Sequence, residues 1–337
     1  MTAVRTRTLG RSGVPVTELG FGAAAVGNLF TPVHDDEAYA ALDAAWDAGI
    51  RYFDTAPHYG IGLSERRVGA YLRTRPASSY TLSTKVGRIL APHDGGGDDL
   101  AHGFAVPATH RRVWDFSAAG VRRSIEDSLG RLGVDKIDVA YLHDPDDHAE
   151  QAFGEAYPEL ERLRGEGLVD AIGAGMNQAG MLARFVRDTD VDVVLCAGRY
   201  SLLDQAALSA LLPAAAARGV GVVVGGVFNS GLLADPKQGA TFDYAPAPPA
   251  AVERALALKE LAQRHGTTLR AAALAFPFAH PAVAGVLVGT RSAAEVTDTA
   301  QQFTTPVPAD FWAEARALDL LAADVPTPSA HGQENRA

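Results

Sequence analysis

From Leu19 to about residue 302 the chain alternates short apolar runs with longer segments of periodic hydrophobicity. The runs fall at Leu19–Gly22, Ile50–Asp54, Tyr80–Lys85, Ile137–His143, Leu168–Gly173, Val191–Cys196, Val220–Val224 and Val283–Val288. Their nearly unbroken apolar character predicts strands covered on both faces, as in a parallel sheet. The segments between them predict amphipathic helices. In the first, Asp35, Asp36 and Glu37 crowd the opening turn, where the helix dipole favours negative charge. Ala38, Ala41, Leu42, Ala45 and Trp46 then follow a helical apolar stripe, and Gly49 ends it. Ser117–Leu132 has a stripe of the same kind in Val121, Ile125, Leu129 and Leu132. Ahead of the alternation, Arg5 to Leu19 predicts a β-hairpin around Gly10-Arg11-Ser12-Gly13. Strand–helix units repeated in this way predict a closed (β/α)8 TIM barrel. An open doubly wound sheet would carry a glycine fingerprint after its first strand, and Gly20-Phe21-Gly22-Ala23-Ala24-Ala25 lacks the third glycine.

Two gaps break the even spacing. Val86 to Phe116, with Gly95-Gly96-Gly97, and Gly225 to Pro249 both leave the C-terminal ends of strands. Long connections of this kind are functional or mobile, and both are expected to overhang the rim where a barrel carries its chemistry. Residues 1–321 read as a single domain, and 322–337, polar with prolines and glycine, as a tail that is a candidate for disorder. A net charge of −10 without a basic run argues against nucleic acid as a partner. No apolar stretch approaches the roughly 20 residues of a membrane span. The N-terminal basic residues have no apolar segment behind them, so no secretory signal is expected. The only cysteine, Cys196, lies in an apolar run and reads as a buried, inert thiol; with no disulfide available in the chain, a cytoplasmic setting is expected.

Four groups stand at or just past the ends of early strands. The run Ile50–Phe53 stops at Asp54, and Pro57 and Gly60 then turn the chain so that Tyr59 lies beside the strand end. The next two runs end at Lys85 and His143. A phenol is a sluggish acid–base group near neutrality; a neighbouring ammonium stabilises its phenolate, and a carboxylate keeps that ammonium charged. An imidazole can hydrogen-bond the reacting oxygen or share the proton. Asp54, Tyr59, Lys85 and His143 are therefore a self-consistent set for proton transfer at a carbonyl or alcohol oxygen. The hydride must come from elsewhere, which points to a nicotinamide cofactor.

Asp54-Thr55-Ala56-Pro57-His58-Tyr59-Gly60, followed by Ser64-Glu65-Arg66-Arg67-Val68-Gly69, resembles the second-strand signature of the aldo-keto reductases. Ser83-Thr84-Lys85-Val86-Gly87, the stretch 124–133 and Tyr141-Leu142-His143 resemble further segments of that family in the same order. The resemblance covers about residues 5 to 320. It implies the barrel and a catalytic tetrad of Asp54, Tyr59, Lys85 and His143. Gly27-Asn28-Leu29, residues 114–117 and residues 143–147 look most like the aldose 1-dehydrogenase group, with its pyridoxal dehydrogenase relatives. By position, the resemblance also implies cofactor contacts. Asn177 matches the asparagine of a Ser-Asn pair that holds the carboxamide, with Met176 in place of the serine. Gly289, Thr290, Arg291 and Ser292, after the last strand, open a helix whose free N–H groups suit a phosphate. Glu295 stands near the place where many members carry an arginine for the 2′-phosphate of NADP. A carboxylate there favours NAD, whereas Arg291 favours NADP, so both cofactors stay open. The stacking aromatic that many relatives place after the seventh strand is replaced by Gly225 or Gly226, with Phe228 as a candidate.

Read singly, these residues have plainer roles. Asp54 and Lys85 could form a structural ion pair, and Tyr59 and His143 could simply pack at the rim. His58 and Trp114 are candidates for substrate contact or for rim and lid packing. His143, Asp144, Asp146, Asp147 and His148 could suggest a metal site, but Asp146 to His148 read better as a helix start, so no metal is expected. Arg66-Arg67 and Arg122-Arg123 read as ordinary helix charges. The expected function is NAD(P)-dependent oxidoreduction of a sugar or another polar carbonyl or alcohol, forming a lactone in the oxidative direction. The expected partner is a small-molecule substrate, and no oligomeric state is assigned. A broad aldehyde, ketone or pyridoxal oxidoreductase is the alternative, and a nicotinamide-sensing regulatory subunit is the rival from another class.

Overall fold

The computed structural model describes residues 4–328. Eight parallel strands close a barrel: β1 (Leu19–Gly22), β2 (Tyr52–Asp54), β3 (Thr81–Val86), β4 (Ile137–His143), β5 (Val169–Met176), β6 (Val193–Ala197), β7 (Gly221–Gly225) and β8 (Val283–Gly289). They follow one another around the barrel in chain order, and β8 returns to β1 through Gly289 opposite Gly22. Each expected strand is present. The fifth runs on to Met176, past its expected end at Gly173, because Ala174 and Met176 are also buried. That extension brings Asn177 to the rim.

Alternation along the strands separates two cores. Tyr52, Val139, Tyr141, Ala171, Val193, Leu195, Val223 and Leu287 point into the barrel, where Leu9, Val14 and Val16 join them. Those three belong to the expected N-terminal hairpin, Thr6–Thr8 paired with Pro15–Thr17, which plugs the floor of the barrel. The outward residues pack against the helices in a second, larger core. Helix α1 (Asp35–Asp47) buries Ala38, Ala41, Leu42 and Ala45. Trp46, at the edge of that stripe, is half-buried between the guanidinium groups of Arg51 and Arg75. Helix α3 (Ala118–Leu132) starts at Ser117, whose hydroxyl accepts from Gly120 N, and stops at Gly133 in the left-handed region.

The long gap after β3 is not structureless. It folds into one β-ribbon, Arg88–Pro92 with His110–Trp114, and a shorter one, Asp98–Asp99 with Phe104–Pro107. Phe104 and Val106 bury against Ile61 in a small separate core, which gives the excursion its own packing. The gap after β7 carries a miniature hairpin, Thr241–Phe242 with Ala245–Pro246. Both excursions are tied to residues after barrel strands: Arg88 pairs with Asp144, and Asp243 of the miniature hairpin pairs with Arg199 at 2.7 Å. Arg67 departs from its expected role as a solvated helix charge. It is buried in α2 (Leu63–Leu72) and donates to Val26 O at 2.7 Å, Asn28 Oδ1 at 2.9 Å and Val33 O at 2.8 Å, organising the loop after β1. Of the expected tail, residues 329–337 lie outside the described residues. Before them, Val325 is buried and its carbonyl accepts from Arg316 at 2.8 Å. Among the described residues no helix is long and apolar enough to cross a membrane.

Candidate active site

Asp54 is the last residue of β2, Lys85 the penultimate residue of β3 and His143 the last of β4, so all three stand at the C-terminal rim. Tyr59 joins them from the turn after β2, where its N–H donates to Ala56 O at 3.1 Å. That turn requires a glycine at 60. Its φ is +60°, and a Cβ there would stand 2.2 Å from Gly27 O.

Lys85 Nζ is the centre of the group. It donates to Asp54 Oδ2 at 2.6 Å, to Tyr59 OH at 3.0 Å and to Thr55 O at 3.0 Å. Burial opposes its charge, but Asp54 and Tyr59 outweigh burial and raise the pKa, so Lys85 stays an ammonium. The expectation for Tyr59 needs a correction of balance. Lys85 pulls the phenol pKa down, yet burial is the larger effect and the net shift is upward. In the resting protein Tyr59 is therefore a neutral phenol. His143 is neutral too, because burial and then the nearby Arg88 and Lys85 charges push its pKa well below the ordinary histidine value. Its ring stands edge-on to Tyr59 at a centroid distance of 5.9 Å, and its Nδ1 is buried without a partner among the described residues.

Below the rim lies a polar column that inspection of strand ends overlooks. Ser83 Oγ donates to Asp54 Oδ1 at 2.7 Å and lies 3.2 Å from Tyr52 OH, which in turn lies 3.1 Å from Tyr141 OH. Tyr52, Ser83 and Tyr141 each precede a rim residue by two positions, so the pleat points them into the same barrel interior. That i, i+2 relation was available in the sequence. Ser83 and Lys85 between them leave neither Asp54 oxygen unpaired.

The other predicted residues fall around this centre. His58 stands edge-on to His143 at 5.7 Å, and Arg112 from the β3 excursion binds it. Trp114 is 44% exposed, stacks on Phe116 and lies under the Arg88 guanidinium, which pairs with Asp144. It is a rim anchor that stays partly exposed. Asp146–His148 form a 3-10 turn leading into a helical segment, as expected, and the His148 ring packs against Trp114 and Phe116. Phe228 is half-buried and packs on the outer core. Cys196 is buried, which pushes its thiol up to about 12, well away from thiolate reactivity.

On the opposite side of the rim, Gly289 to Ser292 lead from β8 into the helix Ala293–Thr304. Ser292 caps that helix by accepting from Glu295 N at 3.3 Å, and Glu295 Oε2 accepts from Arg291 N at 2.9 Å. The other Glu295 oxygen lies 3.5 Å from Arg291 Nε, while Arg291 Nη1 donates to Thr31 Oγ1 at 3.0 Å. Glu295 is thus paired with Arg291. Thr290 Oγ1 and Asn229 Oδ1 are buried without partners among the described residues. Free N–H groups at a helix start, an arginine beside them and two unpaired buried polar atoms are able to hold an anionic dinucleotide. Asn229, which sequence reading missed, lies near Asn177: a Cβ added at Gly198 would meet the side-chain nitrogen of Asn177 at 3.9 Å and that of Asn229 at 4.0 Å.

Comparison with known proteins agrees with the fold and defines the class. Residues 18–320 match the model of the aldo/keto reductase family. A D-threo-aldose 1-dehydrogenase of a Pseudomonas species is 45% identical over 94% of this chain and 97% of its own. A pyridoxal 4-dehydrogenase of Microbacterium luteolum is 38% identical over 96% of this chain and 99% of its own. Among solved structures, an aldo-keto reductase of Bacillus halodurans in its holo form superposes with a TM-score of 0.74 at 27% identity, covering 98% of this chain and 99% of that one. The protein is an NAD(P)-dependent oxidoreductase. It belongs to the aldo/keto reductase family.

Proposed function

We propose that this protein oxidises a sugar at its anomeric carbon to a lactone, using NAD or NADP, and can run the reverse reduction. The observation that carries this reading is the buried ammonium of Lys85 lying between the Asp54 carboxylate at 2.6 Å and the Tyr59 phenol at 3.0 Å. In oxidation Tyr59 takes the hydroxyl proton as the phenolate that Lys85 stabilises; in reduction the neutral phenol returns a proton to the carbonyl oxygen. Asp54, held by Ser83, keeps Lys85 charged and in line. His143 hydrogen-bonds the reacting oxygen and, being neutral, does not compete as a charge. When bound, the nicotinamide accepts or supplies the hydride. Asn177 would hold its carboxamide, and Gly289, Thr290, Arg291 and Ser292 with Glu295 would line the phosphate and ribose end. The sugar reading draws on the aldose 1-dehydrogenase relative, and cytoplasmic residence draws on the single buried cysteine.

A panel of aldoses, pyridoxal and simple aldehydes, assayed with both cofactors by the absorbance of the reduced nicotinamide, tests the reading. The highest kcat/KM is expected with an aldose. Pyridoxal is the second candidate, because the partly exposed Trp114 stands at the rim and a relative carries that activity in its name. No turnover with any of them would favour a cofactor-sensing subunit instead.

Cofactor preference yields a separate prediction. Glu295→Gln keeps an oxygen for the Arg291 N–H but removes the charge that occupies the Arg291 guanidinium, so the ratio of kcat/KM for NADP to that for NAD should rise. Arg291→Ala should lower it roughly 10- to 100-fold, the equivalent of one charge-assisted contact of about 1.5–3 kcal/mol. An unchanged ratio in Glu295→Gln would show that the pair with Arg291 has no part in cofactor choice.

A further inference from the structure

The chemistry proposed above leaves unused a cluster that the β3 excursion carries to the rim. Arg112 lies in the ribbon strand His110–Trp114, and its guanidinium is gripped by Asp99, with Nη1 to Oδ1 at 2.7 Å and Nη2 to Oδ2 at 2.6 Å. Both side chains are buried, 6% and 4% exposed. A two-point pair of this kind holds the guanidinium plane in one orientation. From that plane Nη2 also donates to the His58 carbonyl at 2.8 Å and Nε donates to His58 Nδ1. A guanidinium has donors only and does not lose its proton, so His58 Nδ1 must accept. A neutral His58 therefore carries its one proton on Nε2.

The ring is neutral. Burial, followed by the charges of Arg88 and Arg112 and smaller effects of His102 and Lys85, brings its pKa down to about 2. The groups facing it are accounted for: Asp99 is taken by Arg112, Asp144 by Arg88, and His143 and Tyr59 are uncharged. His58 is further fixed edge-on to Phe104 at 5.1 Å and lies 6.1 Å from the Tyr59 ring, between centroids. Among the described residues no protein group accepts from Nε2.

We propose that Arg112 is a positioning residue: anchored by Asp99, it locks His58 as an Nε2–H donor to a substrate hydroxyl on the carbon next to the reacting one. The proposal rests on the sugar reading above and narrows it. With Tyr59 and His143 flanking the reacting oxygen, His58, whose ring centroid lies 6.1 Å from that of Tyr59 and 5.7 Å from that of His143, is placed to meet the next oxygen along a polyol chain. A substrate with an oxygen there satisfies the donor, whereas one without it leaves a desolvated N–H unpaired and is disfavoured. The excursion thereby contributes substrate choice and not merely cover.

The first test needs no variant. Ring nitrogens of histidine-labelled protein are followed by 15N NMR from pH 5 to 8, with His58→Gln used to assign the signal. The expected spectrum has His58 bare at Nδ1, protonated at Nε2 and unchanged over that range. A proton on Nδ1, a mixture of tautomers, or titration within the range overturns the lock. The second test uses Asp99→Asn with Arg112→Met, which removes the clamp without stranding a buried carboxylate. The ratio of kcat/KM for an aldose to that for its 2-deoxy counterpart should fall on the order of 10-fold. The His58 signal should begin to titrate, and cofactor affinity should hold. Arg112→Lys, which keeps the charge but not the fork, should fail to restore either property. Unchanged discrimination in the double variant overturns the proposal. A fixed tautomer with no sugar turned over would uphold the Arg112 lock and reject the sugar hydroxyl as its purpose.

Discussion

Replacing Tyr59 with phenylalanine is expected to lower kcat about 10²- to 10⁴-fold, the usual contribution of general acid–base catalysis, with cofactor affinity unchanged. The ring keeps its edge-on contact with His143 and its place near Phe104, so packing is preserved. Lys85 loses one acceptor but keeps Asp54 and the Thr55 carbonyl. The substitution thus removes a transferable proton and little else. Steady-state kinetics with cofactor titration by fluorescence checks this. Turnover near that of the wild type would mean that the proton travels by another route, with His143 the next group to examine.

Lys85→Met should have a larger and double effect. It strands the Asp54 carboxylate in a site where both side chains are almost fully buried, and breaking such a pair from one side costs on the order of 3–5 kcal/mol. It also withdraws the one strong influence that lowers the Tyr59 pKa, leaving burial unopposed. Oxidation should then fall and need more alkaline solution, since the phenolate becomes harder to form. Adding Asp54→Asn should recover most of the stability and none of the activity, which separates the two effects. Denaturant unfolding and a pH–rate profile read them out. A profile identical to that of the wild type would reduce Lys85 to a structural partner of Asp54. The sign of the pH dependence of stability follows from the raised pKa of Lys85. The stabilisation from its pair is complete below the unfolded value near 10.5 and fades as pH climbs from there through the higher folded value.

Much of the site was legible because its residues lie at the ends of apolar runs, where parallel strands must bring them to one rim. Asp54, Lys85 and His143 needed only the order of the strands, and Tyr59 needed only the turn marked by Pro57 and Gly60. Ser83, Tyr52 and Tyr141 were legible in principle from the two-residue period but were passed over as strand interior. Arg112, Asp99 and Arg67 gave no such signal. Each is a charged residue whose partner is remote in sequence: Arg112 reaches back 54 residues to His58, and Arg67 reaches 41 to Val26.

The sequence by itself determined the barrel, the hairpin ahead of it and the four groups at its mouth, because strand burial and helical periodicity are local patterns that closure turns into one rim. Only the tertiary structure decided how those groups are charged and which neighbours control them. Whether burial or Lys85 wins at Tyr59 depends on how deep the phenol lies, and composition does not encode depth. Whether Glu295 faces a cofactor or Arg291 depends on one rotamer at the start of a helix. Whether His58 is a donor or an acceptor depends on an arginine that arrives from a separate ribbon. Local pattern specifies where a side chain stands along its element; the dielectric and the hydrogen bonds around it are properties of the assembled packing.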